Sequence, residues 1–324
     1  MQEPIDAVTF PLLDYRGPLP DAKHADHFKV YEHIRDSEYC EGDRAALREL
    51  WTEFDRLGLA DPEFVKRFPS EFGARVWEMR LACTFAGWGW KLVPPKKRGH
   101  GPDLGIEMSN GHVMWVEATA PGNAHGRDAI EAPAGVVLNG DDIDRKVMLR
   151  YLNAISEKRA QHMRWREKGI VSEEDGFTIA ISGSMVPEGH FEMDDLPRIV
   201  KLAFGLGKQT FIVPIGDTDE PPRLGPRQTA LTVAKNTRAG VTKPIEAALF
   251  LDDEARDVSA ILFSGAHFKI RPEAAGQEPG RDFVLVHNPF GSVPFPFDRM
   301  KSGRAFFMRL GMRDHRSGAE DADG

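Results

Sequence analysis

The 324-residue chain is 41% apolar, 28% charged and 9% aromatic, which supports a folded core and excludes collagen-like and wholly disordered classes. Its length predicts one large domain or two modest ones, and 31 Gly with 23 Pro predict a loop-rich architecture. A formal charge of −8 argues against coating nucleic acid by bulk electrostatics but leaves room for a local basic surface.

No apolar run approaches the roughly 18 residues of a membrane span, and Met1–Gly17 lacks a basic start and an apolar stretch, so no membrane association and a cytoplasmic location are expected. Cys40 and Cys83 are too few for a disulfide scaffold or a zinc cluster and are read as inert thiols. Charge is unevenly spread. No carboxylate lies between Glu78 and Asp103, where Arg80, Lys91, Lys96, Lys97 and Arg98 fall, and Asp142–Lys168 carries eight Lys and Arg against four Asp and Glu.

In chain order, residues 1–60 read as a helical N-terminal extension, with an amphipathic stretch over Arg44–Leu57 that Gly58 ends. His24, His27 and His33 have no further ligands to complete a metal set and are read as solvated. Asp61-Pro62 is an N-cap and first-turn pair, and a helix is expected from Ser70 to Ala86, stopped by Gly87 and Gly89. Asp103–Met108 alternates as a strand and Val113–Thr119 is a second strand candidate, and Ser109-Asn110-Gly111 between them is hairpin turn chemistry. After a loop over Pro121–Gly140, the longest helix is expected over Asp142–Lys168, closed by Gly169. Phe177–Ser182, Phe211–Ile215, Ala260–Ser264 and Phe283–His287 read as further strands, and Leu196–Gly205 as a helix. Arg313–Gly324 reads as a disordered tail.

Three carboxylates stand out by context. Glu78 sits in a helix that is apolar on most sides, Asp103 follows Pro102 at a strand start, and Glu117 interrupts an otherwise apolar strand. Buried carboxylates persist when a metal or another cation meets them. In the bland reading Glu78 is capped by Arg75 or Arg80 and Asp103 is a turn residue. Hairpin register separates two geometries. A two-residue turn at Asn110-Gly111 puts Asp103 opposite Ala118, with Glu117 on the other face. A three-residue loop with Gly111 left-handed pairs Met108 with His112 and sets Asp103 across from Glu117, where a divalent ion, Mg²⁺ or Mn²⁺, would relieve their repulsion. On the long helix, Val147, Tyr151, Ala154, Lys158, Gln161 and Trp165 fall in one stripe at 100° per residue, so Lys158 must find a partner or snorkel from the helix edge. Arg150 flanks that stripe.

Glu78 on a helix, then Pro102-Asp103, then Glu117-Ala118-Thr119 resembles the PD-(D/E)XK nuclease superfamily, with its restriction-endonuclease-like fold. The resemblance covers about Ser70–Ser182. It implies an α/β fold with a mixed sheet flanked by helices over residues 61–312, including an elaborated C-terminal half. It also implies phosphodiester hydrolysis with Asp103, Glu117 and Glu78 at the metal, in defence or DNA processing. Thr119 occupies the family's lysine position. The cation must therefore come from elsewhere, or the site is inactive. Some members supply the lysine from the following helix, which points to Lys158, and Gln161-x-x-x-Trp165 resembles a Gln-x-x-x-Tyr motif of certain branches. Lys96, Lys97, Arg98 and Arg150 would then contact phosphates of the nucleic-acid partner, DNA rather than RNA, with room for a homodimer. The bland reading of Lys96–Arg98 is a solvated loop. A catalytically inactive module of this fold, binding nucleic acid or protein, is the alternative. Gly205-Leu206-Gly207-Lys208 is not a phosphate-binding loop, because Leu202 stands where that loop needs glycine. Val286-His287-Asn288-Pro289 ends a strand and reads as a structural turn, the other reading being a cleft that takes His287 or Asn288.

Overall fold

The computed structural model describes residues 10–18, 25–94, 101–131, 140–190, 192, 196–212, 221, 223–237, 240–268 and 272–308. The expected tail and the basic residues Lys96, Lys97 and Arg98 lie outside the described residues. Helices α1 (Ala25–Asp36), α2 (Glu41–Arg56), α3 (Pro62–Arg67) and α4 (Phe72–Gly87) come first. The Asp61 carboxylate accepts the Phe64 N–H at 2.7 Å and Pro62 fills the first turn, so α3 starts where cap chemistry places it. Helix α4 is buried almost all round, because α1 and α2 cover one side of it and the sheet covers the other. The N-terminal helices thus share a core with α4.

A seven-stranded mixed sheet runs in the order Leu92–Val93 (β1), Leu104–Glu107 (β2), Val113–Thr119 (β3), Gly176–Ser182 (β4), Ala260–Ser264 (β9), Val284–His287 (β10), Arg304–Phe306 (β11). β3–β4, β4–β9 and β10–β11 are parallel and the remaining neighbours antiparallel. Alternation along the strands splits the core. Leu104, Ile106, Met114, Val116 and Leu262 face α4, whereas Trp115, Phe177, Ile179, Ile261 and Phe263 pack with α5 (Gly140–Glu167) and α6 (Arg198–Phe204). Among the described residues no helix is long and apolar enough to cross a membrane.

Two two-stranded ribbons stand apart from the main sheet: Leu206–Ile212 (β5) with Arg223–Thr229 (β6), and Thr232–Asn236 (β7) with Thr242–Glu246 (β8). The expected strand over Phe211–Ile215 instead begins at Leu206, immediately after the left-handed Gly205 cap of α6, and residues 213–215 lie outside the described residues. Strands β6 to β8 were not anticipated, since Pro226, Gly225 and Pro244 break the apolar alternation that marks a buried strand.

The β2–β3 hairpin takes the three-residue form. Gly111 has φ +84°, Met108 N–H donates to His112 O at 2.9 Å, and Ile106 pairs with Met114. Gly111→Ala is expected to cost about 1–2 kcal/mol in urea denaturation, since a Cβ strains this backbone. A change under about 0.3 kcal/mol would show the turn tolerates it.

Candidate functional site

The hairpin register does the first step of site building. Met108 and His112 form a hydrogen-bonded pair, so alternate pairs towards the strand end make Asp103 and Glu117 a non-hydrogen-bonded pair, the type whose side chains approach most closely. The next ladder bond would run from Ala118 N–H to Pro102. Asp103 takes it with its own side chain, Oδ2 accepting the Ala118 N–H at 2.8 Å. Asp103 is thereby anchored at the mouth of the hairpin.

Both acids line a cleft of about 440 Å³ between the end of the sheet, α5, α3 and α1. From α5, Lys158 donates its Nζ to Glu117 Oε1 at 2.7 Å and reaches Gln161 Oε1 at 3.4 Å. The predicted stripe is observed: Val147, Tyr151, Ala154 and Trp165 are buried, and Lys158 sits among them beside the carboxylate. Glu117, only 4% exposed, keeps its Oε2 without a hydrogen-bond partner among the described residues. Burial, with Asp103 across the strand, pushes the Glu117 carboxyl up to about 8 against the opposing pull of Lys158. Burial alone would lower the Lys158 amine, but Glu117 and Asp103 outweigh it and hold it above its ordinary value.

Glu78 is placed differently from the expectation. It projects from α4, on the opposite side of the sheet from α5, and does not line the cleft. Its Oε2 accepts from Arg75 Nη1 at 2.5 Å, and the same nitrogen lies 3.5 Å from Asp103 Oδ1. Arg75 Nη2 meets Glu71 at 2.5 Å. The cation joining Glu78 to Asp103 is thus a guanidinium, which burial opposes but the three carboxylates hold well above its ordinary value. Of the two arginines that could cap Glu78, Arg75 does so, while Arg80 pairs with Glu273 and Asp282. Arg75 was legible as a partner through its three-residue spacing to Glu78 and four-residue spacing from Glu71, but its reach to Asp103 was not.

Among the described residues no group of three or more His, Cys, Asp or Glu is placed to hold a metal ion, so the expected three-acid set is not formed. Asp103 and Glu117 remain as a pair of hard oxygen donors, and Mg²⁺ is commonly held by one or two carboxylates with water and phosphate oxygens. The unpartnered Glu117 Oε2 fits such an ion by charge and donor type.

Arg150 lines the cleft and donates Nε to Gly122 O at 2.7 Å, so it also holds the loop after β3. Burial lowers its affinity for its proton. His27, read as solvated, is part of the cleft wall: Gly73 N–H donates to its Nδ1 and its Nε2 meets Ala120 O, both at 3.1 Å. Nothing in the spacing of His27 signals this role, which arises from α1 docking on α4. Asn288 donates its amide to Ala255 O and Val258 O at 2.9 and 2.8 Å, as a structural turn requires. Burial pushes the Cys83 thiol up to about 12, in keeping with an inert side chain. Comparison of the chain with protein-family models, with curated proteins and with solved structures gives no match.

Proposed function

We propose that this chain is a divalent-metal-dependent nuclease of restriction-endonuclease-like fold, hydrolysing phosphodiester bonds of DNA. The observation that carries the reading is the Asp103–Glu117 pair at the cleft with the Lys158 ammonium 2.7 Å from Glu117, a cation from the following helix where position 119 is threonine. Asp103 and Glu117 would hold Mg²⁺ or Mn²⁺, which supplies polarisation of a phosphate oxygen and activation of water. Lys158 orients Glu117 through Oε1, leaving Oε2 for the ion, and its charge offsets the negative charge that develops on the phosphoryl group. Gln161 holds the Lys158 amine from the next turn of α5. Arg75 fixes Asp103 from the other side, and Arg150 adds a cleft cation.

Purified protein with plasmid or single-stranded DNA and Mg²⁺ or Mn²⁺ is expected to cut, and Asp103→Ala, Glu117→Ala and Lys158→Ala to lose at least about a hundredfold in rate. Cleavage that survives Asp103→Ala and Glu117→Ala rejects the site. The second reading is a catalytically silent module of the same fold. Arg75 favours it, because its guanidinium already satisfies part of the charge on Asp103 and Glu78. Wild-type protein that binds nucleic acid without cutting it under either ion would select that reading.

A further inference from the structure

The basic residues around the start of α5 are neutralised one by one: Arg145 by Asp128 and Asp142, Lys146 by Asp142, Arg198 by Asp144 and Lys208 by Asp141. The ribbon β7–β8 breaks this pattern. Its register sets Lys235 directly opposite Lys243, and among the described residues neither has an ion pair or a side-chain hydrogen bond. Like charges facing each other across a strand pair destabilise it, so the pair works against the ribbon unless an anion lies between them. At the ribbon's turn, Gly240 has φ +81° and the Arg127 guanidinium lies over it, 3.1 Å from where a Cβ would stand. Arg127 is exposed and likewise without a carboxylate partner among the described residues. The nearest acid along the ribbon is Glu246, opposite Thr232 at its base and three residues from Lys243, about 10 Å of strand.

This unpaired group is braced to the cleft. Pro121–His125 line the cleft wall, and the chain continues directly into Gly126–Asp128. Asp128 accepts the Asn236 N–H at 3.2 Å and its side-chain amide at 3.1 Å, while Arg145 Nη1 joins Asp128 at 2.8 Å to Ala234 O at 2.9 Å. The ribbon is therefore held against the segment that directly follows the cleft-lining loop, on a chain whose overall charge is negative.

We infer that the β7–β8 ribbon, with Lys235, Lys243 and Arg127, is a docking surface for the phosphate backbone of duplex DNA entering the cleft. A two-stranded ribbon fits the B-form major groove, about 12 Å wide, whereas the major groove of A-form RNA is too narrow for it. The inference rests on the nucleic-acid reading above, but it concerns binding and is tested without cleavage.

The test is fluorescence anisotropy of a labelled DNA duplex in EDTA across a salt series, with a matching RNA duplex alongside. Lys235→Glu/Lys243→Glu is expected to weaken DNA binding strongly and to reduce the slope of log affinity against log salt by about 2, and Arg127→Glu by about 1. Arg48→Glu/Arg56→Glu on α2, with the same change in charge, is expected to stay near wild type. Thermal unfolding of Lys235→Gln/Lys243→Gln should equal or exceed wild type, because repulsion is removed, so that lost binding reports contact and not unfolding. The inference is overturned if the ribbon variants bind as wild type does, if the α2 control weakens equally, or if RNA is preferred to DNA. Asp103→Ala should retain duplex affinity. Normal binding by the ribbon variants with cleavage still lost in Asp103→Ala would remove the ribbon and keep the nuclease.

Discussion

Arg75→Met is expected to lower the unfolding free energy by about 3–5 kcal/mol, as breaking a buried ion pair does when one partner stays behind. Arg75 is the shared counter-ion of Glu71, Glu78 and Asp103, and Glu78 is only 1% exposed, so its carboxylate cannot turn to water when the guanidinium is gone. Arg75→Lys should fall between, since an ammonium keeps the charge but cannot fork to several acceptors. The double variant Arg75→Met/Glu78→Gln should recover a substantial part of the loss, a coupling that only interacting side chains give. Urea denaturation followed by tryptophan fluorescence reads all three. An Arg75→Met variant within about 1 kcal/mol of wild type would mean that the carboxylates find other partners cheaply.

The second large effect is one of pH. Glu117 in the folded chain holds its proton up to about 8, against an ordinary value of 4.5, because it is buried beside Asp103. The folded state therefore binds this proton more tightly than the unfolded state. Its contribution to stability is fully present below about pH 4.5 and is lost as pH rises towards about 8. Wild-type melting temperature should decline across that window, by on the order of a few kcal/mol of stability in all. Glu117→Gln, which has no proton to lose, should flatten the decline. Addition of Mg²⁺ or Mn²⁺ should act in the opposite sense, since an ion at Asp103 and Glu117 needs both carboxylates ionised. The rise in melting temperature it produces should be larger near pH 8.5 than near pH 6 and absent in Glu117→Gln. A metal effect that ignores pH or survives Glu117→Gln would place the ion elsewhere.

These two groups mark how unevenly the site could be read from residues. Asp103 and Glu117 come together through a local device, one glycine in a three-residue loop, and a shift of register by one residue would have put them on opposite faces. Lys158 was legible because helical periodicity alone places it in the apolar stripe of α5, where a charge must find a partner. Glu78 was legible as a buried acid with an arginine near it, and the three-residue spacing favours Arg75 over Arg80, which is two residues on and faces away. What the helix alone does not show is where each guanidinium reaches next: only the packing of α4 against the sheet sends Arg75 towards Asp103 and Arg80 towards Glu273 and Asp282. His27 was invisible as a site residue, since its two ring nitrogens meet atoms 46 and 93 residues away.

The chain's own residues determined the elements with strong local signals: the cap at Asp61-Pro62, the buried α4, the hairpin over Leu104–Thr119 though not which of its two registers, and the stripe of α5. Turn chemistry and periodicity act over a few residues, so nothing distant was needed to read them. Tertiary structure decided the rest. It ordered seven strands into one mixed sheet and turned the N-terminal helices into a wall of the cleft. It also gave the Glu78 carboxylate to an arginine and tied β7–β8 through Asp128 to the segment after the cleft-lining loop. Those outcomes depend on which side chains meet when separate elements pack, and contacts between residues tens to hundreds of positions apart leave no periodic trace in a single sequence.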